Sequence, residues 1–312
     1  MKPVEEGKIP VGVVGVGYAG RYHAEKYTAS NIATLIGVAD IDGDRSGVVG
    51  ETLGVTSFTD YREFFGKARC VSIAVPTHLH YQVARDFLSV GIDVLIEKPI
   101  AVTLGEGEQL VRLAREKNLV LQVGHLERFN PAIRRLESVI REPKFVECHR
   151  LAPFVDRGTD VDVVLDLMIH DIDVITSLVD SPVKRAEAVG VPVLTDKPDI
   201  ANARITFSNG CIANVTASRV SMKRERKIRF FQPDAYISID YDQKRAQVYR
   251  RVKKGGGWGD IRGETVEIKD GDALADEIES FLEAVRARHD PVVSGEEGLR
   301  ALEIASMISE QL

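Results

Sequence analysis

The chain has 312 residues, enough for about two domains, and its hydrophobic content of 44% and charged content of 28% are those of an ordinary folded protein. Lysine and arginine total 41 against 47 acidic residues, and the net charge of −6 argues against nucleic acid as the main partner. Three cysteines, far apart and without metal-ligand spacing, predict reduced thiols in a cytoplasmic protein and no metal site. No apolar stretch approaches the ~18 residues that span a membrane, so neither export nor membrane insertion is expected.

The first predicted elements are a strand, a glycine turn and a helix within residues 11–24 (VGVVGVGYAGRYHA). Gly15 would permit the tight turn, and Gly17 would let a diphosphate approach the backbone. Gly20 would let the helix pack closely on the strand. These features predict a dinucleotide site at the start of the helix. The residues of this turn that are predicted to bind the cofactor are Gly15, Gly17, Tyr18, Ala19 and Gly20.

A second apolar run, residues 33–39, ends on Asp40, about 20 residues beyond the last glycine of the turn. The Asp40 carboxylate would hold the adenosine ribose hydroxyls and repel a 2′-phosphate, which favours NAD over NADP. Arg45 is close enough in sequence to weaken that preference. The alternative interpretation is a solvated acidic loop beside a glycine turn that binds nothing.

Strands and helices alternate through the first 125 residues and predict six βα units. Such alternation predicts an α/β fold, a doubly wound parallel sheet with helices on both faces, here a Rossmann domain over residues 1–126. Ligands of such sheets collect at the carboxyl ends of the strands. The further cofactor contacts predicted near these ends are Pro76, Thr77, His80, Glu97, Lys98 and Gln122.

Beyond residue 130 the pattern changes, and strands dominate residues 145–250. The dipeptide Asn209-Gly210 between two alternating runs is the strongest hairpin signal in the chain. Helices are predicted from residue 131 to about residue 140, over residues 163–178, over residues 272–288 and from residue 294. This pattern predicts a second α/β domain over residues 127–312, with a large, mostly antiparallel open sheet.

Two groups of residues could carry out acid–base chemistry. Lys98 follows a strand at the mouth of the nucleotide sheet, where it could share a proton with a substrate hydroxyl; alternatively, it is a surface lysine before a helix. Asp166, His170 and Asp173 fall on one helix face because they are four and three residues apart. His170 could take a hydroxyl proton while Asp166 binds substrate or orients the imidazole. The alternative is an interior histidine between two carboxylates.

A basic cluster lies between two predicted strands and has two interpretations. Charged residues commonly line solvated sheet edges, where they discourage aggregation. The cluster could instead clamp an acidic substrate group, such as the diphosphate of a sugar nucleotide. Arg128 and Asn130, just after the nucleotide domain, are better placed for substrate contacts. The basic cluster consists of Lys223, Arg224, Arg226, Lys227 and Arg229.

Four features in this order and spacing resemble the Gfo/Idh/MocA family of oxidoreductases along the whole chain: the glycine turn, Asp40, Glu97-Lys98-Pro99 and the Asp166-x-x-x-His170-x-x-Asp173 helix. The resemblance implies an N-terminal Rossmann domain and a C-terminal domain whose open sheet often forms the oligomer contact. A homodimer or homotetramer is therefore expected. It also implies Lys98, Asp166 and His170 as the catalytic set.

Within the family, residues 123–132 and 166–173 and the run NGCIANVTASRVS resemble the UDP-N-acetylglucosamine 3-dehydrogenase branch. That branch oxidises the sugar 3-hydroxyl to a ketone with NAD, ahead of transamination to the 3-amino sugar of some lipid A. The resemblance therefore implies a nucleotide-sugar substrate. Two alternatives remain open: oxidation of a free cyclic polyol or sugar, as by inositol dehydrogenases, and a non-catalytic NAD-binding sensor.

Overall fold

The structure is a computed structural model that describes residues 5–155, 161–252, 260–268 and 271–312. Its described residues form two compact units. The first unit runs to Leu126 and also contains Asp272–Leu299, whereas the second comprises Glu127–Gly271 and Arg300–Leu312. The sequence interpretation divided the chain once, after residue 126, and placed residues 272–299 in the second domain. The structure instead groups this segment with the first unit.

The first unit contains a six-stranded parallel sheet in the order β3-β2-β1-β4-β5-β6, which confirms the predicted Rossmann fold. Strands β1, β2 and β4 are apolar and buried along almost their whole length, because helices cover both faces of such a sheet. The strands are β1 (Ile9–Val14), β2 (Ala33–Ala39), β3 (Thr56–Phe58), β4 (Cys70–Ile73), β5 (Asp93–Glu97) and β6 (Leu121–Gly124). The connecting helices are α1 (Tyr18–Ala29), α2 (Gly43–Leu53), α3 (Thr77–Ser89) and α4 (Leu104–Glu116).

The second unit contains an eight-stranded sheet in the order β14-β13-β12-β11-β7-β10-β9-β8. All neighbours pair antiparallel except β7 and β10, which confirms the predicted mostly antiparallel sheet. The predicted hairpin at Asn209-Gly210 joins β9 to β10, with Gly210 at a φ of +85°. The strands are β7 (Phe145–Leu151), β8 (Val183–Val191), β9 (Ile200–Phe207), β10 (Ile212–Ser218), β11 (Glu225–Gln232), β12 (Ala235–Asp240), β13 (Arg245–Val252) and β14 (Asp260–Glu267).

One face of this sheet is covered by helices. The short helix α5 (Pro131–Leu136) precedes β7, and a single π-helical turn, Val164–Met168, leads into α6 (Ile169–Leu178). Apolar residues of α6 and of the last turns of α8 (Gly295–Ser309) share one cluster with the inward residues of the strands. The sequence predicted an uninterrupted helix over residues 163–178, and the π turn is the departure from it. Such turns are frequent at functional sites.

Helix α7 (Ala273–Ala287) completes the core of the first unit. Its apolar residues Ile278, Phe281 and Leu282 share one buried cluster with residues of β1 and β2. At its end, Nη1 of Arg288 donates to the two carboxylate oxygens of Asp93 at 2.9 and 2.8 Å. Residues 272–299 belong to the first unit because this apolar face is buried against the parallel sheet. In the described part of the chain, no helix is both long and apolar enough to cross a bilayer.

Candidate active site

The turn between β1 and α1 has a shape that requires glycine. Gly15 has a φ of +80°, and a Cβ there would lie 2.7 Å from the carbonyl oxygen of Ala74. A Cβ at Gly20 would collide with the carbonyl oxygen of Gly15. At Gly17, by contrast, a Cβ would meet nothing within 4 Å, so the space above the start of α1 is open. Open space beside the backbone N–H groups of a helix N-terminus fits a diphosphate.

A cavity of about 730 Å³ adjoins this turn, and Asp40 lies in its wall. The buried Asp40 carboxylate accepts hydrogen bonds from the backbone N–H of Val16 at 2.9 Å and of Asp42 at 3.0 Å. Nη1 of Arg45 lies 3.3 Å from both of its oxygens. A carboxylate held at the end of β2 in a cavity of this size fits the adenosine half of NAD. Other residues that line the cavity are Gly15, Gly17, Ile41, Tyr61, Pro76 and Gln82.

Further predicted cofactor residues lie at the start of α1 and α3. Tyr18 and Ala19 begin α1, and the Tyr18 side chain is exposed. Pro76 lines the cavity, and Thr77 begins α3. The structure therefore brings most of the predicted cofactor residues to one edge of the parallel sheet.

Two predicted cofactor residues make contacts inside the first unit. The ring nitrogens of buried His80 lie 2.8 Å from the carbonyl oxygen of Pro99 and 2.9 Å from that of Val75. Burial lowers the pKa of His80 in spite of these two hydrogen bonds. The amide nitrogen of buried Gln122 donates to the carbonyl oxygen of Glu277 at 3.2 Å. His80 thus links the loops after β4 and β5, and Gln122 links β6 to α7.

Glu97 ends β5 and Lys98 follows it, and Glu97 belongs to a network that the sequence did not indicate. Nε2 of buried His23 donates to Oε1 of Glu97 at 2.9 Å, and its Nδ1 lies 3.2 Å from Oγ of Ser72. Burial acts to raise the pKa of Glu97, but the His23 hydrogen bond and the charges of His23 and Lys98 outweigh it and lower this pKa. Glu97 is therefore an anion beside Lys98. The Lys98–Pro99 peptide bond is cis.

The second predicted constellation lies in the second unit. Asp166 belongs to the π turn, and His170 and Asp173 lie on α6. Asp166 and His170 are half-buried, whereas Asp173 is 1% exposed and lies 3.5 Å from Nη1 of Arg128. The helix therefore presents two polar groups within reach of a ligand and buries the third against a cation.

A buried charge network, absent from the sequence interpretation, holds this helix on the sheet. Nε and Nη2 of Arg150 on β7 donate to the two oxygens of Asp171 at 2.8 Å each, and Nη1 donates to Glu127 at 3.1 Å. Burial acts to raise the pKa of Glu127, but the charges of Arg150 and Arg226 outweigh it and lower this pKa. Asp171 follows His170 directly in sequence. This Arg150–Asp171 clamp therefore fixes the orientation of α6 about its own axis at the residue next to the imidazole.

Asn130, which was predicted to contact substrate, forms hydrogen bonds to nearby residues of this network. Its Oδ1 accepts from the backbone N–H of Ala132 at 3.0 Å and so begins α5. Its amide nitrogen donates to Glu127 at 3.1 Å. Asn130 thereby orients the carboxylate that Arg150 also binds.

The cysteines and the described acidic and histidine side chains show no metal-site arrangement. Cys70, Cys148 and Cys211 are buried and free. Burial raises the pKa of the Cys211 thiol to about 11 and that of the other two well above the usual value. Among the described residues, no three His, Cys, Asp or Glu side chains converge as a metal ion requires.

Both parts of the chain match known protein families. A family model described as an oxidoreductase family with an NAD-binding Rossmann fold matches residues 9–125, and a GFO/IDH/MocA C-terminal domain model matches residues 132–257. The UDP-N-acetylglucosamine 3-dehydrogenase of Acidithiobacillus ferrooxidans is 39% identical over 299 residues, which cover 95% of each chain. The myo-inositol 2-dehydrogenase of Thermotoga maritima is 23% identical, over 94% of this chain and 92% of that one.

Solved structures show the same relationship. A structure of the Acidithiobacillus ferrooxidans enzyme superposes with a TM-score of 0.92 at 38% identity, covering 98% of both chains. The scyllo-inositol dehydrogenase of Lactobacillus casei, with bound NAD(H) and scyllo-inositol, has a TM-score of 0.81 at 19% identity, covering 98% of this chain and 97% of that one. This second likeness shows a shared fold.

Proposed function

Because the chain belongs to the Gfo/Idh/MocA family of oxidoreductases and carries its NAD-binding Rossmann domain, we propose that it oxidises the 3-hydroxyl of UDP-N-acetylglucosamine to a ketone with NAD. The observation that carries the substrate is the 39% identity over 95% of both chains to an enzyme of that activity. The related inositol dehydrogenase is only 23% identical. The ketone is the substrate that a transaminase needs to form a 3-amino sugar, such as that of lipid A. The proposal places this reaction in the cytoplasm.

The chemistry that bound NAD supplies is acceptance of a hydride from a carbon that carries a hydroxyl. The open backbone above Gly17 would hold the diphosphate of NAD, and the Asp40 carboxylate would accept hydrogen bonds from the hydroxyls of the adenosine ribose. Loss of the hydroxyl proton must accompany hydride departure, so the chain has to provide a proton acceptor.

His170 takes the hydroxyl proton in this proposal. The imidazole is the side chain whose ordinary pKa lies nearest neutral pH, and the Arg150–Asp171 clamp fixes the helix that carries it. Lys98 holds the reacting oxygen and shares its proton, and the Glu97 anion beside it balances its charge. Asp166, half-buried one turn before His170, positions the sugar or the imidazole. Arg128 and Asn130 remain the proposed neighbours of the substrate.

The test is the absorbance of reduced NAD after the purified protein is mixed with NAD and UDP-N-acetylglucosamine. Parallel reactions contain myo-inositol or free N-acetylglucosamine, and an added aminotransferase removes the ketone to overcome an unfavourable equilibrium. Reduction of NAD with the nucleotide sugar alone supports the proposal. Reduction with myo-inositol alone would replace it by a polyol dehydrogenase, the activity named for the Thermotoga maritima relative.

We also propose that the chain forms a homo-oligomer through the open face of the eight-stranded sheet. An aromatic row crosses four neighbouring strands on this face, with ring centroids 5.5, 5.0 and 6.0 Å apart. Phe231 and Tyr249 in this row are 36% and 39% exposed. An exposed aromatic row supports a contact with another protein surface. The row consists of Phe145, Phe231, Tyr236 and Tyr249.

A further inference from the structure

The basic cluster is not uniform in the structure, because four of its five members behave as surface charges. Nε of Arg224 lies 3.0 Å from Asp242, and Nζ of Lys227 lies 3.9 Å from Asp240. Arg229 pairs with Glu147 across β11 and β7. Lys223 is exposed in the turn before β11. These residues match the interpretation of a charged, solvated sheet surface.

Arg226 differs from these four residues. Its side chain is half-buried, and within the described part of the chain no carboxylate oxygen lies within 4.0 Å of its guanidinium nitrogens. None of the described residues accepts a hydrogen bond from its guanidinium. Burial and the charge of Arg150 lower the pKa of Arg226, and the charges of Glu127 and Asp242 only partly offset this shift. Among the described residues, Arg226 is thus a partly desolvated cation with which no carboxylate pairs directly.

Arg226 lies next to the arginine that binds the proposed catalytic helix α6. It lies directly opposite Arg150 in the pairing of β11 with β7, and it shares the helix-covered face with Ile228. Arg150 in turn binds Asp171, the neighbour of His170 in sequence. Directly opposed residues of antiparallel strands have Cα atoms about 4.5–5.5 Å apart. Arg226 therefore lies one strand away from the residue that anchors α6.

A half-buried cation without a counterion is unfavourable until an anion binds it. Asp171 and Glu127 already bind Arg150, and among the described residues no other carboxylate pairs with Arg226, so a ligand is the anion that fits this position. A guanidinium presents parallel N–H donors that match the oxygens of a phosphate group. We propose that Arg226 binds the diphosphate of the nucleotide-sugar substrate. This inference rests on the proposed function, because the UDP group is what supplies that anion.

The test compares the parent chain with Arg226→Met and Arg226→Lys, and with Arg224→Gln as a control that removes a nearby exposed charge. UDP is the probe for equilibrium binding by calorimetry, and KM and kcat are measured with UDP-N-acetylglucosamine. Arg226→Met is expected to raise the Kd of UDP and the KM about 10- to 100-fold, because a charge-assisted pair of hydrogen bonds is lost. Arg226→Lys keeps the charge and is expected to fall between Met and the parent. Arg224→Gln should stay within about twofold of the parent.

Thermal stability separates a binding role from a structural one. Since no carboxylate of the described residues pairs with half-buried Arg226, Arg226→Met is expected to keep or raise the Tm and to leave the Kd of NAD unchanged. A lowered Tm together with an unchanged Kd of UDP for Arg226→Met and Arg226→Lys would mean that Arg226 is structural, and would overturn the inference.

The outcomes also distinguish this inference from the proposed function. If the parent binds UDP through Arg226 but does not oxidise UDP-N-acetylglucosamine, the inference holds and the proposed function fails. If the parent oxidises the nucleotide sugar and Arg226→Met does so with the same KM, the inference fails and the function holds. If the parent neither binds UDP nor oxidises its sugar, both fail.

Discussion

Replacing Asp171 by asparagine would leave the guanidinium of Arg150 without its principal counterion while changing almost no volume. The two side chains are 1% and 3% exposed, and two hydrogen bonds of 2.8 Å join them. Burial acts to lower the pKa of Arg150, but the charges of Asp171 and Glu127 outweigh it and raise this pKa well above the usual value. Arg150 stays charged in the variant because a guanidinium is not deprotonated in proteins, and Glu127 is its remaining acid.

Removing one partner of a buried ion pair costs about 3–5 kcal/mol. Because Arg150 keeps its 3.1 Å hydrogen bond to Glu127, we expect the lower end, about 3 kcal/mol, for Asp171→Asn. That loss is a large share of the ~5–15 kcal/mol by which a folded domain is stable. The loosened helix carries His170, so kcat should fall as well, while the Kd of NAD should stay unchanged.

Urea titration followed by circular dichroism measures the free energy of unfolding. The matched control is Glu187→Gln, which removes a carboxylate 3.9 Å from Arg185 when both side chains are about 60% exposed. This surface pair should contribute less than about 1 kcal/mol. A loss below about 1 kcal/mol for Asp171→Asn, similar to that of the control, would refute the view that the buried pair anchors α6.

Four further changes test other parts of the proposal. His170→Ala should lower kcat about 100-fold or more while NAD binding is retained, because a general base is lost; an unaltered kcat in steady-state assays would exclude this role. Asp40→Asn keeps the shape of the ribose site but removes its charge, so the ratio of the Kd of NADP to that of NAD should fall about tenfold in fluorescence titrations. His23→Gln should shift the acid unfolding midpoint to higher pH. In the parent, His23 lowers the pKa of Glu97, and this stabilises the fold at pH values above the pKa of about 4.3 that Glu97 has in the unfolded chain. The contribution is lost as the pH falls through the pKa of Glu97 in the folded chain. Tyr249→Glu should convert the oligomer to monomers in analytical ultracentrifugation, and an unchanged mass would remove the open sheet face as the contact.

Much of the fold and of the nucleotide site could be predicted because the signals are local. The glycine turn, the apolar strands and Asp40 lie within 40 consecutive residues, and each signal depends on short-range geometry. The same is true of the hairpin at Asn209-Gly210, where Gly210 has a positive φ and Oδ1 of Asn209 accepts a hydrogen bond from the backbone N–H of Cys211. The alternation of strands and helices likewise determined the parallel sheet.

Only the tertiary structure decided which polar side chains face a ligand and which are used internally. His80 and Gln122 lie near strand ends, as predicted, yet their polar atoms contact backbone carbonyls inside the first unit. Arg150 and Asp171 are 21 residues apart, and no periodicity relates them. The burial of residues 272–299 against the first sheet is equally non-local.

The basic cluster shows this division most clearly. The sequence by itself determined that five cations lie together, but it could not say which of them has a counterion. Strand pairing placed Arg229 opposite Glu147 and Arg226 opposite another arginine. The charge balance around each residue depends on the partner across the sheet, and that partner is set by how distant strands align.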